Sequence, residues 1–440
     1  MSIGRGLFYF GRRKGSIMTM TAALILFLAT YVLLLILPNH RAYVALLSGV
    51  IFIVSGILPV EDALAAIDLN VLMMIAGTMG LVSLFIESGM PALMADVLLD
   101  HMRNVRATVI ALSLFAGIVS AFVDNVATVL MIAPVAMSIA KKFDISPVPM
   151  IIAISVSSNL QGAATLVGDT TSILLGGYAN MDFLDFFWFR GKPGMFFVVE
   201  IGALLTVLVL LWLFRHDKQP TMAKEHTVVT DYLPTVLLAA MVLLLIGVSF
   251  FPGRPSITNG VICMGMFLIG FAANVIKKRS MDAFLKPLKE LDYATLLLLA
   301  GLFVVIGGIS KAGVIDAIAA LFRRIGGGNL FLIYTLIVWA SVLFSAFIDN
   351  IPYVATMLPV VQQMSLTMGV EPSLLYFGLL TGATLGGNLT PIGASANITS
   401  IGLLRKEGYE VKTKDFMRIG VPLSLTAVIT GYLLVWVLWH

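Results

Sequence analysis

Long apolar runs recur along the 440-residue chain, separated by short polar segments. The runs near 18–37, 42–60, 70–90, 193–214, 232–251, 257–276, 294–313 and 419–439 each have about the 18 residues or more that a helix needs to cross a bilayer. Four longer segments between them are apolar but interrupted. Two, 106–140 and 328–366, carry Asp-Asn at their centres: "SAFVDNVATVLMIAPV" from Ser120 and "SAFIDNIPYVATMLPV" from Ser345. Two others, 147–180 and 373–404, are broken by Gly-rich polar loops, "NLQGAATLVGDTTS" from Asn159 and "TLGGNLTPIGASAN" from Thr384.

These segments repeat. Between the two Asp-Asn phrases, 7 of 15 positions from Ala121 and Ala346 onward are identical. "QGAATLVGDTTSI" (Gln161–Ile173) echoes "GGNLTPIGASANI" (Gly386–Ile398) at the same spacing. "IDLNVLMMIAGTMGLVSLFIESG" (Ile67–Gly89) echoes "LDYATLLLLAGLFVVIGGISKAG" (Leu291–Gly313) at a spacing shorter by a single position. Three blocks in one order at nearly one spacing make two copies of a unit, 17–214 and 232–440. A polar linker, 215–231, joins them.

Each Asp-Asn segment is too long for one span. Two half-helices of about 15 residues reach only about 22 Å each at 1.5 Å per residue, short of a bilayer. A re-entrant hairpin fits, with its tip at Asp124-Asn125 or Asp349-Asn350, provided protein or a water-filled cavity surrounds the tip. Each unit then crosses five times, for about ten crossings plus two hairpins. Homologous units with an odd number of crossings are inverted relative to each other, and broken helices at matching positions place a transport site at the midplane. With the N-terminus outside, 18 Lys and Arg fall on the cytoplasmic side, the linker included, and 10 outside. Arg5, Arg12, Arg13 and Lys14 run against that placement. The apolar run after "RGLFYFGRRKGS" is read as a first span, because "ILPNHRAY" follows it instead of a small-residue cleavage site.

Composition narrows the class. Hydrophobic residues make up 59% and charged residues 12% of the chain, against about 25% charged in a soluble domain. Mean hydropathy is +1.00. The strand-like alternation of a membrane barrel is absent, and the longest polar stretch, Arg215–Asp231, is too short for a soluble domain. The fold class is therefore all-α polytopic membrane protein, expected in the inner (plasma) membrane of a prokaryote. The net charge of +4 sits in short loops and sets topology; it does not indicate a nucleic-acid partner. A single cysteine, Cys263, excludes an internal disulfide or a multi-thiolate metal site. The five histidines lie in or beside loops, and no pair has the i, i+4 spacing of a helical metal site.

A charge at the bilayer centre costs roughly 2.5–3.5 kcal/mol, yet three carboxylates, Asp124, Asp169 and Asp349, lie in the interrupted elements. No Lys or Arg lies at the two hairpin tips or in the two helix breaks. Each aspartate could be a helix cap. The symmetric pair argues for function, since Ser or Asn would cap at lower cost in lipid. The glycines permit unwinding and Pro391 removes a donor. Freed carbonyls and Asn, Thr and Ser oxygens can hold a cation, while half-helix N-termini face an anion or polar solute. Glu87 and Lys311 read as interfacial residues, and Asp68 and Asp292 as span starts.

The motifs "AFVDNVATVLMIAPV", "AFIDNIPYVATMLPV" and "GGNLTPIGASANI" resemble the ion transporter superfamily of permeases, in the branch of arsenite permeases, D-type sodium/proton antiporters and the pigment-associated P protein. The resemblance covers nearly the whole chain. It implies a citrate-transporter-like fold and a homodimer, with a scaffold part and a moving part that carries the hairpins. It also implies that Asn125, Thr128, Asn350 and the Gly-rich breaks line the ion and substrate sites. The candidate set is thus Asp124, Asn125, Thr128, Asn159, Thr165, Gly168, Asp169, Thr170, Asp349, Asn350, Gly387, Asn388, Thr390, Gly393, Ser395 and Asn397, with sodium expected at Asp124, Asn125, Asp349 and Asn350. The family commonly has Gly-Asp-Pro-Pro-Asn in the first break; here it reads Gly168-Asp169-Thr170-Thr171-Ser172, which changes the ligand set available there.

Three transport readings follow. Carboxylates in a low-dielectric site favour their neutral form until a cation arrives, so protons and a small cation compete, as antiport requires. Proton-driven export of an oxyacid such as arsenite uses the same carboxylates in a roomier pocket. Sodium-coupled dicarboxylate uptake is weaker, because the site is acidic and nothing cationic meets the carboxylates. The inverted broken-helix plan disfavours a passive channel, and no nucleophile–base set or metal motif suggests an enzyme. No cofactor is expected beyond the coupling ion, proton or sodium. The expected partners are a small ion or oxyacid, membrane lipid and a second copy of the chain.

Overall fold

Matching caps start matching helices in the two halves of the computed structural model, which describes residues 17–217, 219, 227–251 and 253–440. Arg5–Lys14, and Lys218 with 220–226 of the linker, lie outside the described residues. The first half contains α1 (Ile17–Ile36), α2 (Arg41–Val54), α3 (Val60–Ala66), α4 (Leu69–Glu87), α5 (Met90–Leu99), α6 (Val105–Ser120), α7 (Asn125–Lys142), α8 (Val148–Gly162), α9 (Thr170–Ala179) and α10 (Met195–Leu213). The second contains α11 (Leu233–Ser249), α12 (Thr258–Lys278), α13 (Met281–Lys289), α14 (Tyr293–Lys311), α15 (Val314–Gly326), α16 (Leu330–Ser345), α17 (Asn350–Met368), α18 (Ser373–Leu380), α19 (Ser395–Lys406) and α20 (Thr413–Trp439). Strands β1 (Trp188–Phe189) and β2 (Lys192–Pro193) form a small antiparallel ladder before α10.

Asp68 and Asp292 accept from the third backbone N–H of α4 and α14, at 3.1 and 3.0 Å. Asn104 and Asn329 do the same for α6 and α16, at 2.9 and 3.2 Å. Each satisfies a donor that a helix start would otherwise leave orphaned. Pro134 in α7 and Pro359 in α17, at equivalent positions of the repeat, interrupt the two helices that follow the Asp-Asn turns.

Packing exchanges the halves. α4 lies against α12 and α14 against α2. Both contacts rest on glycine: a Cβ on Gly77 would stand 2.6 Å from the Cys263 carbonyl oxygen, and one on Gly301 would stand 2.5 Å from the Ala45 carbonyl carbon. Backbones this close leave no room for a side chain. Around that frame, α6 packs on α8, α16 on α18, and α10 on α20. Every residue of α8 from Met150 to Gly162 is buried, as is nearly all of α17 from Asn350 to Val361.

Seven described helices are long and apolar enough to cross a membrane: α1, α4, α7, α10, α12, α14 and α20. α15 and α16 meet the criterion together but are bent by 117°. The ten spans read from the sequence therefore include shorter helices. α2 has 14 residues, about 21 Å at 1.5 Å per residue, and the broken segments divide into α8 with α9 and α18 with α19. The short helices α3, α5, α13 and α15 were not anticipated. The linker is fastened where it is described. Gln219 and Asp217 carbonyls accept from the Val105 and Arg106 N–H groups at 3.0 and 2.8 Å, and Thr227 donates from N and Oγ1 to Asp96 Oδ2 at 2.8 and 2.7 Å.

Candidate functional site

The two Asp-Asn turns place their aspartates as N-caps. Asp124 Oδ1 accepts from the Val126 and Ala127 N–H groups at 3.0 and 3.2 Å; Asp349 Oδ1 accepts from Ile351 at 3.2 Å. Their other oxygens differ. Asp349 Oδ2 accepts from Arg41 Nη1 at 3.1 Å and from Ser395 Oγ at 2.9 Å. Among the described residues no cation pairs with Asp124. This corrects the expectation that nothing cationic meets the carboxylates. Arg41 opens α2, and tertiary packing carries it to a hairpin tip 308 residues away, outside the interrupted elements where a cation was sought.

Asp169, a candidate site residue that could also have capped the first break, precedes α9 but makes no side-chain cap bond. Its Oδ2 accepts from Thr171 Oγ1 at 2.7 Å, and that hydroxyl also meets Thr384 Oγ1 at 2.9 Å. Asp169 is 3% exposed.

A cavity of about 480 Å³ is bounded by Asp124 and Asp169 but not by Asp349. Asp124, Asn125, Asp169, Thr170, Asn350 and Ser395 line it, with Met79, Val82, Ile86, Val126, Leu130 and Ile351 as an apolar wall. It continues to Ser83 of α4 and to Glu290, Asp292 and Thr295 at the α13–α14 junction, where Glu290 and Asp292 are exposed. Four carboxylates line the cavity, and no Lys, Arg or His among the described residues does. Asn350 Nδ2 is buried without a partner, so a donor remains unused at the wall. Among the described residues no three His, Cys, Asp or Glu side chains converge to hold a metal ion. A cation bound here would rely on amide, hydroxyl and carbonyl oxygens besides its carboxylates.

Asn125 also bonds to one of the remaining candidates, which lie behind the cavity lining and hold the broken elements together. Asn125 Nδ2 donates to Asn159 Oδ1 at 2.7 Å, and Asn159 Nδ2 donates to the Thr384 carbonyl at 3.0 Å. Asn397 Nδ2 donates to Asn388 Oδ1 at 3.0 Å, and its Oδ1 accepts from Ser155 at 2.9 Å. Asn388 Nδ2 reaches the Val156 carbonyl at 3.4 Å. These bonds tie α8 to the second break. Thr384 sits in a π-helical turn, Thr381–Leu385, a form that often marks functional sites. Thr165 and Thr390 donate to the carbonyls of Ala121 and Ala346, fixing each loop to its hairpin. Gly168 and Gly393 press on the same turns: a Cβ would come within 2.6 Å of the Ser120 carbonyl oxygen and 2.5 Å of that of Ser345. Gly387 faces Gly393 in the same way. Thr128 is buried off the cavity, 3.4 Å from the Val123 carbonyl.

The sequence reading missed Arg41, Ser83, Glu290 and Thr295, and it took Asp292 for a span start only. Asp292 does cap α14, but it also faces the cavity.

Residues 31–382 match the citrate transporter family. The chain belongs to that family. A 46 kDa membrane protein of Mycobacterium leprae is 30% identical over 426 residues, 94% of this chain and 97% of its own. The human P protein is 28% identical, across 96% of this chain and 60% of its own length. Among solved structures, the YdaH transporter of Alcanivorax borkumensis shares the fold with a TM-score of 0.60 at 15% identity, covering 85% of both chains. MtrF of Neisseria gonorrhoeae does so with a TM-score of 0.55 at 13% identity, covering 96% of this chain and 95% of its own. This citrate transporter family member is thus an integral membrane transporter and not an enzyme.

Proposed function

We propose that this chain is a proton-coupled cation antiporter of the sodium/proton type that works by alternating access. The observation that carries the reading is the acidic cavity: Asp124 and Asp169 at its buried end, Glu290 and Asp292 at its exposed end, and no basic side chain among the described lining residues. Glu290 and Asp292 concentrate cations at the mouth. Inside, Asp124 holds either a proton or a cation, with Asn125, Thr170 and Asn350 supplying oxygens. Because both cannot bind together, moving the hairpin-bearing elements between the two faces exchanges one for the other.

The units 17–214 and 232–440 are taken as inverted repeats. The charge pattern supports this. Glu87 pairs with Lys286 at 3.2 Å, and at the equivalent positions of the repeat Lys311 pairs with Asp62 at 2.8 Å. The polarity is swapped between equivalent sites. A basic α13 inside and an acidic α3 outside is the arrangement the positive-inside rule favours for equivalent helices on opposite faces. The homodimer and the prokaryotic inner membrane belong to the same reading.

A second reading, proton-driven export of an oxyacid such as arsenite, is favoured by the cavity's size, which exceeds what a bare ion needs. The family is that of citrate transporters, and MtrF illuminates a class of antimetabolite efflux pumps. A free tricarboxylate would meet four lining carboxylates here, so charge repulsion argues against it.

Purified protein in sealed proteoliposomes tests the reading. A sodium gradient should drive proton flux in the opposite direction, and a pH gradient should drive sodium flux. Proton movement driven by arsenite but not by sodium would replace the first reading with the second; sodium flux indifferent to pH would indicate a channel.

A further inference from the structure

We infer that the Arg41 guanidinium is a built-in cation at the second hairpin, so that of the two hairpin carboxylates the repeat supplies, only Asp124 is left to exchange ions. The inference rests on the proposed cation-exchange function and refines its site.

Arg41 is held at two points. Its Nε donates to the Leu34 carbonyl at 3.2 Å and its Nη1 to Asp349 Oδ2 at 3.1 Å. The Asp349 side chain is 6% exposed and its Oδ2 is shared with Ser395. Next to the tip, Tyr31 of α1 donates to the Pro352 carbonyl at 2.6 Å and meets Thr356. So α1 and α2 together close over the tip that bears Asp349. An arginine does not lose its proton in a protein, so a small cation could reach Asp349 only by displacing a charge tied to the chain. The guanidinium fills the role that sodium was expected to fill there.

The first hairpin has no such group, and the repeat register explains why. Gly77 and Gly301 are equivalent positions, and they rest on Cys263–Met264 and Ala45–Leu46 respectively. That register matches Ala45 with Cys263, and therefore Arg41 with Asn259. Asn259 is buried and uncharged, and Asp124 opens into the cavity instead. One arginine facing one asparagine across the repeat turns a symmetric pair of carboxylates into one occupied and one exchangeable site.

Equilibrium binding of radiolabelled sodium to the purified full-length protein at alkaline pH tests this. The parent should bind one sodium per chain, and Arg41→Gln, which frees Asp349, should bind two. Arg41→Lys, which keeps a charge, should stay at one. If Arg41→Gln is not monodisperse, Arg41→Met takes its place. Unchanged stoichiometry on loss of the Arg41 charge overturns the inference. No sodium on the parent but one on Arg41→Gln keeps the inference and removes the reading of the first site. None on either overturns both.

Discussion

Asp349 accepts a hydrogen bond from Arg41 at 3.1 Å, whereas Asp124, its equivalent in the first half, faces the cavity with no cation among the described residues. A carboxylate paired in this way, away from water, depends on its partner. Removing one member of a buried ion pair strands the other and costs about 3–5 kcal/mol. Asp349→Asn should therefore lower the melting temperature of the purified protein by several degrees, and Asp124→Asn should not. Equal melting temperatures for the two variants would mean that the pair contributes nothing.

Two glycines should tolerate nothing larger. Gly168→Ala and Gly393→Ala would drive a methyl into hairpin carbonyls. Backbone gives way poorly, and overpacking costs about 1–3 kcal/mol or more. Both variants should lose transport and express poorly. Gly265→Ala, where a Cβ would meet nothing within 4 Å, should behave as the parent does. Expression and flux measured on the three variants decide it.

The inverted arrangement predicts which face each loop reaches. In a background lacking Cys263, cysteines at Lys142 and at Glu371, at or just beyond the ends of the equivalent helices α7 and α17, should react with an impermeant reagent from opposite sides of the membrane. Labelling from the same side would contradict inversion.

One pH effect lies outside the spans. Burial pushes the Asp231 carboxyl up, but the Leu233 N–H and Lys277, whose Nζ is 3.0 Å away, outweigh it and hold the group below the usual carboxylate range. A depressed carboxylate adds stability that is present above the unfolded-state value and lost as pH falls through the folded one. The anchoring of α11 to α12 by this pair should therefore persist at neutral pH and fail only in acid. Asp231→Asn should lose that acid-dependent part of stability, measured as melting temperature against pH.

Much of this was legible in the sequence because it repeats. The Asp-Asn turns, the Gly-rich breaks and the long apolar helices recur at a nearly constant spacing, and the structure puts a cap or a loop contact at each. Arg41 was not legible. It stands at an ordinary helix start, and only the exchange of α2 onto α14 carries it to the second hairpin. Glu290 went unnoticed and Asp292 looked like a span start only, because the cavity mouth forms beside α13, a helix of 9 residues that is too short to show in the apolar pattern. Asp169 could be read as a cap or as a site residue because it stands at the break; its Thr171 contact depends on a side-chain orientation that spacing does not encode. The linker read only as a polar connection between the units, because its bonds to Asp96, Val105 and Arg106 are long-range.

The central claim is that Asp124 carries the exchanged charge, and Asn is nearly isosteric with Asp but cannot ionise. The decisive measurement is sodium-driven proton flux across sealed proteoliposomes, Asp124→Asn against the parent at equal protein density. A variant that folds and inserts yet shows coupled flux reduced to background is the predicted result. Coupled flux at the parent's rate would show that Asp124 is only the cap of α7 and would contradict the account.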